Sequence, residues 1–132
     1  MQFYSTNRKT SPVSLREAVV RGLATDRGLF MPEVIRRFPP AFYQNMKEMT
    51  LREISFVVAE AFFGENVEAG KLKEIVDETL NFDIPLVQVA DNRYSLELFH
   101  GPTLAFKDVG ARFMARLLAY FNKQEGERQV NV

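Results

Sequence analysis

The sequence contains no cysteine, which excludes a disulfide framework, a thiol nucleophile and a Cys-ligated zinc site. Tryptophan is also absent, and histidine occurs once, at His100, so a metal site would have to rest mostly on carboxylates. An excess of either charge is missing: 17 Lys and Arg balance 17 Asp and Glu. That balance argues against a nucleic-acid partner recognised through a global positive charge. No apolar run reaches the length of a membrane span, and the N-terminus lacks the charged-then-apolar layout of a signal peptide. The expectation is a cytoplasmic protein with no membrane partner. The 7 glycines stand far apart, and none belongs to a glycine-rich phosphate loop. What remains is a globular mix of 46% hydrophobic and 26% charged residues, rich in Phe at 12, over 132 residues. That length sets a prior of one domain.

Local signals mark several elements. Gln2 to Thr6 reads as a short strand, and Ser14 with Glu17 forms a capping-box pattern that opens a helix over Leu15–Arg21, closed by Gly22. The stretch from Gly22 to Pro32 reads as a structured loop around the turn residues Asp26-Arg27-Gly28. Pro39-Pro40 breaks the chain before a short helix-forming run, Ala41–Lys47. Thr50 and Glu53 repeat the capping-box pattern ahead of a helix to Phe63 that places Ile54, Val57, Val58, Ala61 and Phe62 at helical spacing, with Gly64 as its stop. A further helix from Glu68 to Leu80 turns Leu72, Ile75, Val76 and Leu80 inward and its charges outward.

Past Pro85, Leu86–Ala90 and Tyr94–Phe99 read as strands around an Asp91-Asn92 turn. The loop His100–Lys107 feeds a helix from Asp108 to Asn122, whose expected apolar face is Gly110, Met114, Leu117, Leu118 and Phe121, thickened by Phe113 and Tyr120. Glu125–Glu127 turns the chain, and Arg128–Val132 begins another strand. Strand, helix, strand is the opening of a parallel βαβ unit. A parallel sheet cannot be completed by so little sequence, so the chain reads as the front part of a larger protein.

Lys107 is the most informative residue for chemistry. It follows the apolar run Leu104-Ala105-Phe106 at a helix start, where the partial positive charge of the helix disfavours a second cation. A lysine amine that is also desolvated there would have a lowered pKa, the state that attacks carbonyls. The alternative is a lysine that only snorkels from a helix end. Asp108 suits the first helical turn and could pair with Arg112. His100 reads as a loop-ordering hydrogen-bonder or a general base, Glu97 as a functional carboxylate or an edge charge, and Phe106 as core or as one wall of a flat-ring site. Arg112 and Arg116, four apart on one helix face, could read an anion or line a solvated surface.

Taken together, Leu96-Glu-Leu-Phe-His-Gly-Pro-Thr-Leu-Ala-Phe-Lys-Asp108 and Gly110-Ala-Arg-Phe-Met114 resemble the pyridoxal-phosphate attachment segment of threonine synthases. Glu97, Thr103, Ala105, Phe106, Lys107 and Gly110 also fit the broader attachment pattern of serine/threonine dehydratases. An earlier stretch, Val13-Ser-Leu-Arg-Glu-Ala18 with Gly22-Leu23, Asp26 and Gly28-Leu-Phe-Met-Pro32, is similar to the N-terminal leader of the same family. The likeness spans the chain but only about the first third of a typical member.

The resemblance implies an α/β parent, a fold-type-II pyridoxal-phosphate enzyme like the tryptophan synthase β chain. This chain would be an α+β, mostly helical N-terminal domain at residues 1–83 and the start of the cofactor-binding domain at 84–132, opening a parallel βαβ unit. It implies a lyase that converts O-phospho-L-homoserine and water to L-threonine and phosphate. Lys107 would carry pyridoxal 5'-phosphate covalently and shuttle protons, with Phe106 as a ring neighbour and Thr103 and His100 as loop residues near the cofactor. The family's Ser-Gly-Asp-Thr-Gly segment and its phosphate-binding loop do not occur here. The expectation is therefore a chain that is inactive alone, holds the cofactor weakly and self-associates through apolar surface left uncovered. Two other readings stay open: a related phospho-lyase or dehydratase that releases a keto acid, and a non-catalytic α+β interaction module.

Overall fold

The computed structural model describes residues 1–123 of the chain. The turn expected at Glu125–Glu127 and the strand expected at Arg128–Val132, and with them the closing half of the βαβ unit, lie outside the described residues.

Three helices begin where a side chain accepts the N–H groups that a first turn leaves unpaired. Helix α1 (Leu15–Arg21) starts at Ser14, whose Oγ accepts the Glu17 N–H at 3.2 Å. Only this half of the expected box is recorded, because the Glu17 carboxylate pairs with Arg21 at 2.8 Å instead. Helix α1 ends at Gly22, where φ of +72° would strain a side-chain-bearing residue. Among the later helices, α2 (Pro40–Asn45) is short, and Pro40 is its first residue rather than a break before it. A proline there loses nothing, since its missing N–H would have had no helical partner. Helix α3 (Leu51–Phe63) has the full reciprocal box of Thr50 and Glu53. At α4 (Ala69–Thr79) the cap is Glu68, whose two carboxylate oxygens take the N–H groups of Gly70 and Lys71.

Strand β1 (Gln2–Ser5) is the middle of a three-stranded antiparallel sheet, flanked by β2 (Val13–Ser14) and β3 (Phe30–Pro32). The sequence pattern read as loop over 22–32 thus contains a strand. What brings it back to β1 is the Asp26 turn. Asp26 Oδ1 accepts the Ser5 hydroxyl at 2.6 Å and the Gly28 N–H at 3.0 Å, while Oδ2 accepts the Lys9 N–H at 3.0 Å. The Ser5 hydroxyl, followed by the Gly28 and Lys9 amides, holds the Asp26 carboxyl below its ordinary range. Arg27, not Gly28, takes the left-handed backbone at φ +66°. Gly28 is needed for space: a Cβ there would lie 2.0 Å from Ser5 Oγ.

The core gathers Phe3 from β1, Leu15 and Ala18 from α1, Ala59 from α3, Leu72, Ile75 and Val76 from α4, and Leu117 and Phe121 from α5 (Lys107–Lys123). The inward face expected of α4 is the one observed. On α3 the most buried residue is Ala59, with Phe56 and Phe63 packed against the core, so the face is turned from the one that periodicity suggested. On α5 the expected Leu117 and Phe121, thickened by Phe113 and Tyr120, do face the core, joined by Val109, but Met114 is 50% exposed and Gly110 faces open space. Strands β4 (Leu86–Ala90) and β5 (Arg93–Leu96) form an antiparallel hairpin with a register irregularity between Gln88 and Ala90. Its apolar side chains Leu86, Val89, Tyr94 and Leu96 are all exposed.

Candidate functional site: the loop that presents Lys107

The second strand of the hairpin ends sooner than the sequence pattern suggests, at Leu96, although the Glu97 N–H still reaches Pro85 O at 3.0 Å. From there the chain folds over the start of α5. Glu97 and His100 form a pair at 2.7 Å between Oε2 and Nε2, and the Phe99 ring lies 4.7 Å from the His100 ring, centroid to centroid. Between Glu97 as a functional carboxylate and as an edge charge, the geometry favours neither end alone: it is half-buried and ties down the only imidazole. His100 is seen ordering the loop, as one of its two sequence readings had it.

Next, the Leu104 N–H donates to Gly101 O at 3.0 Å in a turn that holds Leu104 at φ +56°. The Thr103 N–H donates to Asp108 Oδ2 at 2.9 Å, and the Asp108 N–H donates to Ala105 O at 3.0 Å. Asp108 is only 2% exposed. It lies roughly half a helical turn round from Leu117, so what buries it is the loop and not the helical core. Gly101 lies directly against it, since a Cβ at that position would be 2.6 Å from Asp108 Cβ and Oδ2. The expected pairing of Asp108 with Arg112 does not form. The Asp108 carboxylate turns back to cap the loop, and Arg112 reaches the other way.

Lys107 itself is the first residue of α5 and is exposed, as are Thr103, Phe106 and Leu104, the last two at 67% and 75%. The burial expected around its amine is therefore not supplied by the described residues. Phe106 is not core. The amine suits the aldehyde of pyridoxal phosphate chemically, and the exposed Phe106 ring is of a kind to lie beside a flat heteroaromatic. The described residues fit the attachment end of that cofactor. A cleft of about 720 Å³ lies elsewhere, walled by Thr50–Arg52 and Leu80–Pro85.

Arg112 and Arg116 are spoken for. Arg112 donates to Thr79 O at 3.0 Å, Glu78 O at 2.8 Å and Asn81 Oδ1 at 3.0 Å. Arg116 Nε meets the Glu78 carboxylate at 2.8 Å. Neither anion recognition nor an idle surface describes them: they fasten α5 to the C-terminal end of α4, where helical carbonyls would otherwise lack partners. Sequence reasoning missed this clamp and the buried Asp108. The clue to the first was a pair of arginines i, i+4 on a helix with a single acid, Asp108, to share between them. The clue to the second was an acid directly after a glycine-containing tight loop.

Residues 2–80 match the family model described as threonine synthase N terminus. The whole chain aligns with threonine synthase of Serratia marcescens at 37% identity over 132 residues, covering 100% of this chain and 30% of that protein. Among solved structures, PLP-bound threonine synthase from Brucella melitensis superposes with a TM-score of 0.90 at 34% identity, over 97% of this chain and 29% of that one. Threonine synthase from Escherichia coli gives 0.85 at 36% identity, over 92% and 28%. The chain thus spans about three-tenths of the length of the relatives it matches. With the leader region matched as a family and the small mixed fold shared with these enzymes, the chain belongs to the threonine synthase family.

Proposed function

We propose that the chain is the N-terminal portion of a threonine synthase, divided into a leader at residues 1–83 and the start of the cofactor-binding part at 84–132. In this reading Lys107 is the residue at which pyridoxal 5'-phosphate is held, and the whole enzyme is a lyase that converts O-phospho-L-homoserine and water to L-threonine and phosphate. The observation that carries the reading is the exposed Lys107 at the mouth of a tightly wound loop, within a fold that superposes on a PLP-bound threonine synthase.

When bound, the cofactor's ring withdraws electrons from the substrate's α-carbon, which lets phosphate leave from Cγ and water add at Cβ. This chain's residues bind and position. Lys107 Nζ anchors the cofactor and, once released from it, moves protons between the substrate carbons. Phe106 packs beside the ring, and Thr103 and His100 line the loop around it. His100 is held by Glu97, so its ring is steered toward one orientation. The chain alone is inactive in this reading, because Lys107 lies open to water and nothing among the described residues encloses a cofactor around it. Leu86, Val89, Leu96, Phe99, Leu104 and Phe106 are all exposed, and apolar side chains left uncovered in this way are expected to drive self-association. Among the described residues no helix is long and apolar enough to cross a membrane.

The test is to join the chain to the remaining portion of a similar threonine synthase and supply O-phospho-L-homoserine. Equimolar threonine and phosphate, abolished by Lys107→Ala, is the expected result. A keto acid in place of threonine would reassign the reaction to a related phospho-lyase or dehydratase. Activity retained in Lys107→Ala would end the assignment of the lysine. Threonine formation by the 132-residue chain alone at a similar rate would refute its inactivity, and a monomer at high concentration in light scattering would refute the exposed-surface argument.

A further inference from the structure

We infer that Asp108 is a positioning residue, whose buried carboxylate winds the Gly101–Phe106 loop onto the start of α5 and so fixes where Lys107 is presented. The inference rests on the proposed role of Lys107. Three observations support it. The Asp108 carboxylate is almost fully buried at a helix start, where it is favoured by the helix's partial positive charge. Its Oδ2 accepts the Thr103 N–H at 2.9 Å, a charge-assisted bond across five residues that closes the loop. Gly101 packs so closely that a Cβ there would strike both Asp108 Cβ and Oδ2 at 2.6 Å, which leaves the carboxylate little freedom to turn away.

The turn in which Leu104 takes a left-handed backbone, at φ +56°, lies between these two contacts. A non-glycine residue in that region is held there by its surroundings. The surroundings here are the Asp108 carboxylate at one end of the turn and Gly101 O, accepting the Leu104 N–H, at the other. Since Lys107 is only three residues beyond Leu104 and directly precedes Asp108, loosening the carboxylate moves both the loop and the origin of the lysine side chain.

The test uses the chain itself, with Asp108→Ala, Asp108→Asn and Gly101→Ala. Two readouts separate this inference from the one beneath it. The first is hydrogen exchange at the Thr103 amide, which needs no cofactor. It is expected to speed up about tenfold or more in Asp108→Ala, while amides in α4 keep their protection. The second is treatment with millimolar pyridoxal 5'-phosphate followed by borohydride, which traps condensed lysines as secondary amines that mass spectrometry can locate. In the parent chain the expected label on Lys107 exceeds that on the exposed Lys9 and Lys47, which serve as internal controls. Asp108→Ala and Gly101→Ala are expected to bring Lys107 down to the level of those controls, whereas Asp108→Asn, which keeps an acceptor oxygen, stays within about threefold of the parent. A parent chain without preference for Lys107 counts against the lysine's proposed role and leaves exchange at Thr103 to decide the loop. Unchanged exchange in Asp108→Ala overturns the inference. So does a Lys107 preference that survives Asp108→Ala, or an Asp108→Asn chain that behaves like Asp108→Ala.

Discussion

Removing the Arg112 guanidinium should separate α5 from α4 without touching the apolar core. In the structure this one side chain donates to two carbonyls at the end of α4, Glu78 O and Thr79 O, and to Asn81 Oδ1. Thr79 is 1% exposed, so in Arg112→Ala its carbonyl would lose a charged donor in a place that water reaches poorly. A hydrogen bond to a charged group is worth about 1.5–3 kcal/mol, and a buried acceptor left alone carries its desolvation cost. The bonds to Glu78 O and Asn81 are exposed, and solvent replaces most of their value. The sum is a loss of about 2–3 kcal/mol for Arg112→Ala. Arg112→Lys should recover about half of it, because an ammonium cannot span the same acceptors with a planar fork. Arg116→Ala, which removes a surface pair with Glu78, should cost less than about 1 kcal/mol. Urea unfolding followed by circular dichroism, at concentrations where the chain is monomeric, reads these values as a fall in midpoint of about 1 M or more at unchanged slope for Arg112→Ala. A loss under about 0.5 kcal/mol, or equal losses for the Ala and Lys variants, would refute the clamp.

Three further outcomes follow from named contacts. Gly28→Ala should destabilise by about 2–3 kcal/mol, since its methyl must displace Ser5 Oγ from Asp26; a thermal melt that does not move would contradict the close approach. Thr50→Ala removes one half of the α3 capping box and should cost about 1 kcal/mol in urea unfolding, with Thr50→Ser close to the parent. Asp26, Glu53 and Glu65 all have carboxyls held below their ordinary values in the folded chain: Asp26 by the Ser5 hydroxyl, Glu53 by the Thr50 amide and hydroxyl, and Glu65 by the N-terminal ammonium and then Arg36. A lowered folded pKa means the unfolded chain binds protons first. Their stabilisation is therefore complete above about pH 5 and is lost as pH falls below the ordinary carboxylate range of about 4. Asp26→Asn should flatten that part of the stability–pH curve, and a slope identical to the parent's would show that Asp26 is not linked to folding.

What the sequence determined by itself is what depends on near neighbours. Ser14 and Thr50 accept the N–H three residues ahead, Gly22 adopts a backbone that side chains avoid, and α4 has one uninterrupted apolar stripe. Each is settled within one or two helical turns, so residue order suffices. The motif around Lys107 was legible for the same reason, as a contiguous run of side chains. Tertiary structure decided the rest. Phe30–Pro32 became a strand because the Asp26 turn returned it to β1, a partner some thirty residues away in sequence. The inward face of α3 turned, and Met114 and Gly110 dropped out of that of α5, because burial is set by what packs against a helix, and periodicity alone leaves the choice among neighbouring stripes open. Asp108 went inward and Arg112 outward to α4, although helical spacing would have paired them, since a loop amide and orphan carbonyls offered each a better partner. Exposure of Lys107 was equally beyond the sequence: solvent access is a property of the folded surface, fixed by which elements lie over the start of α5.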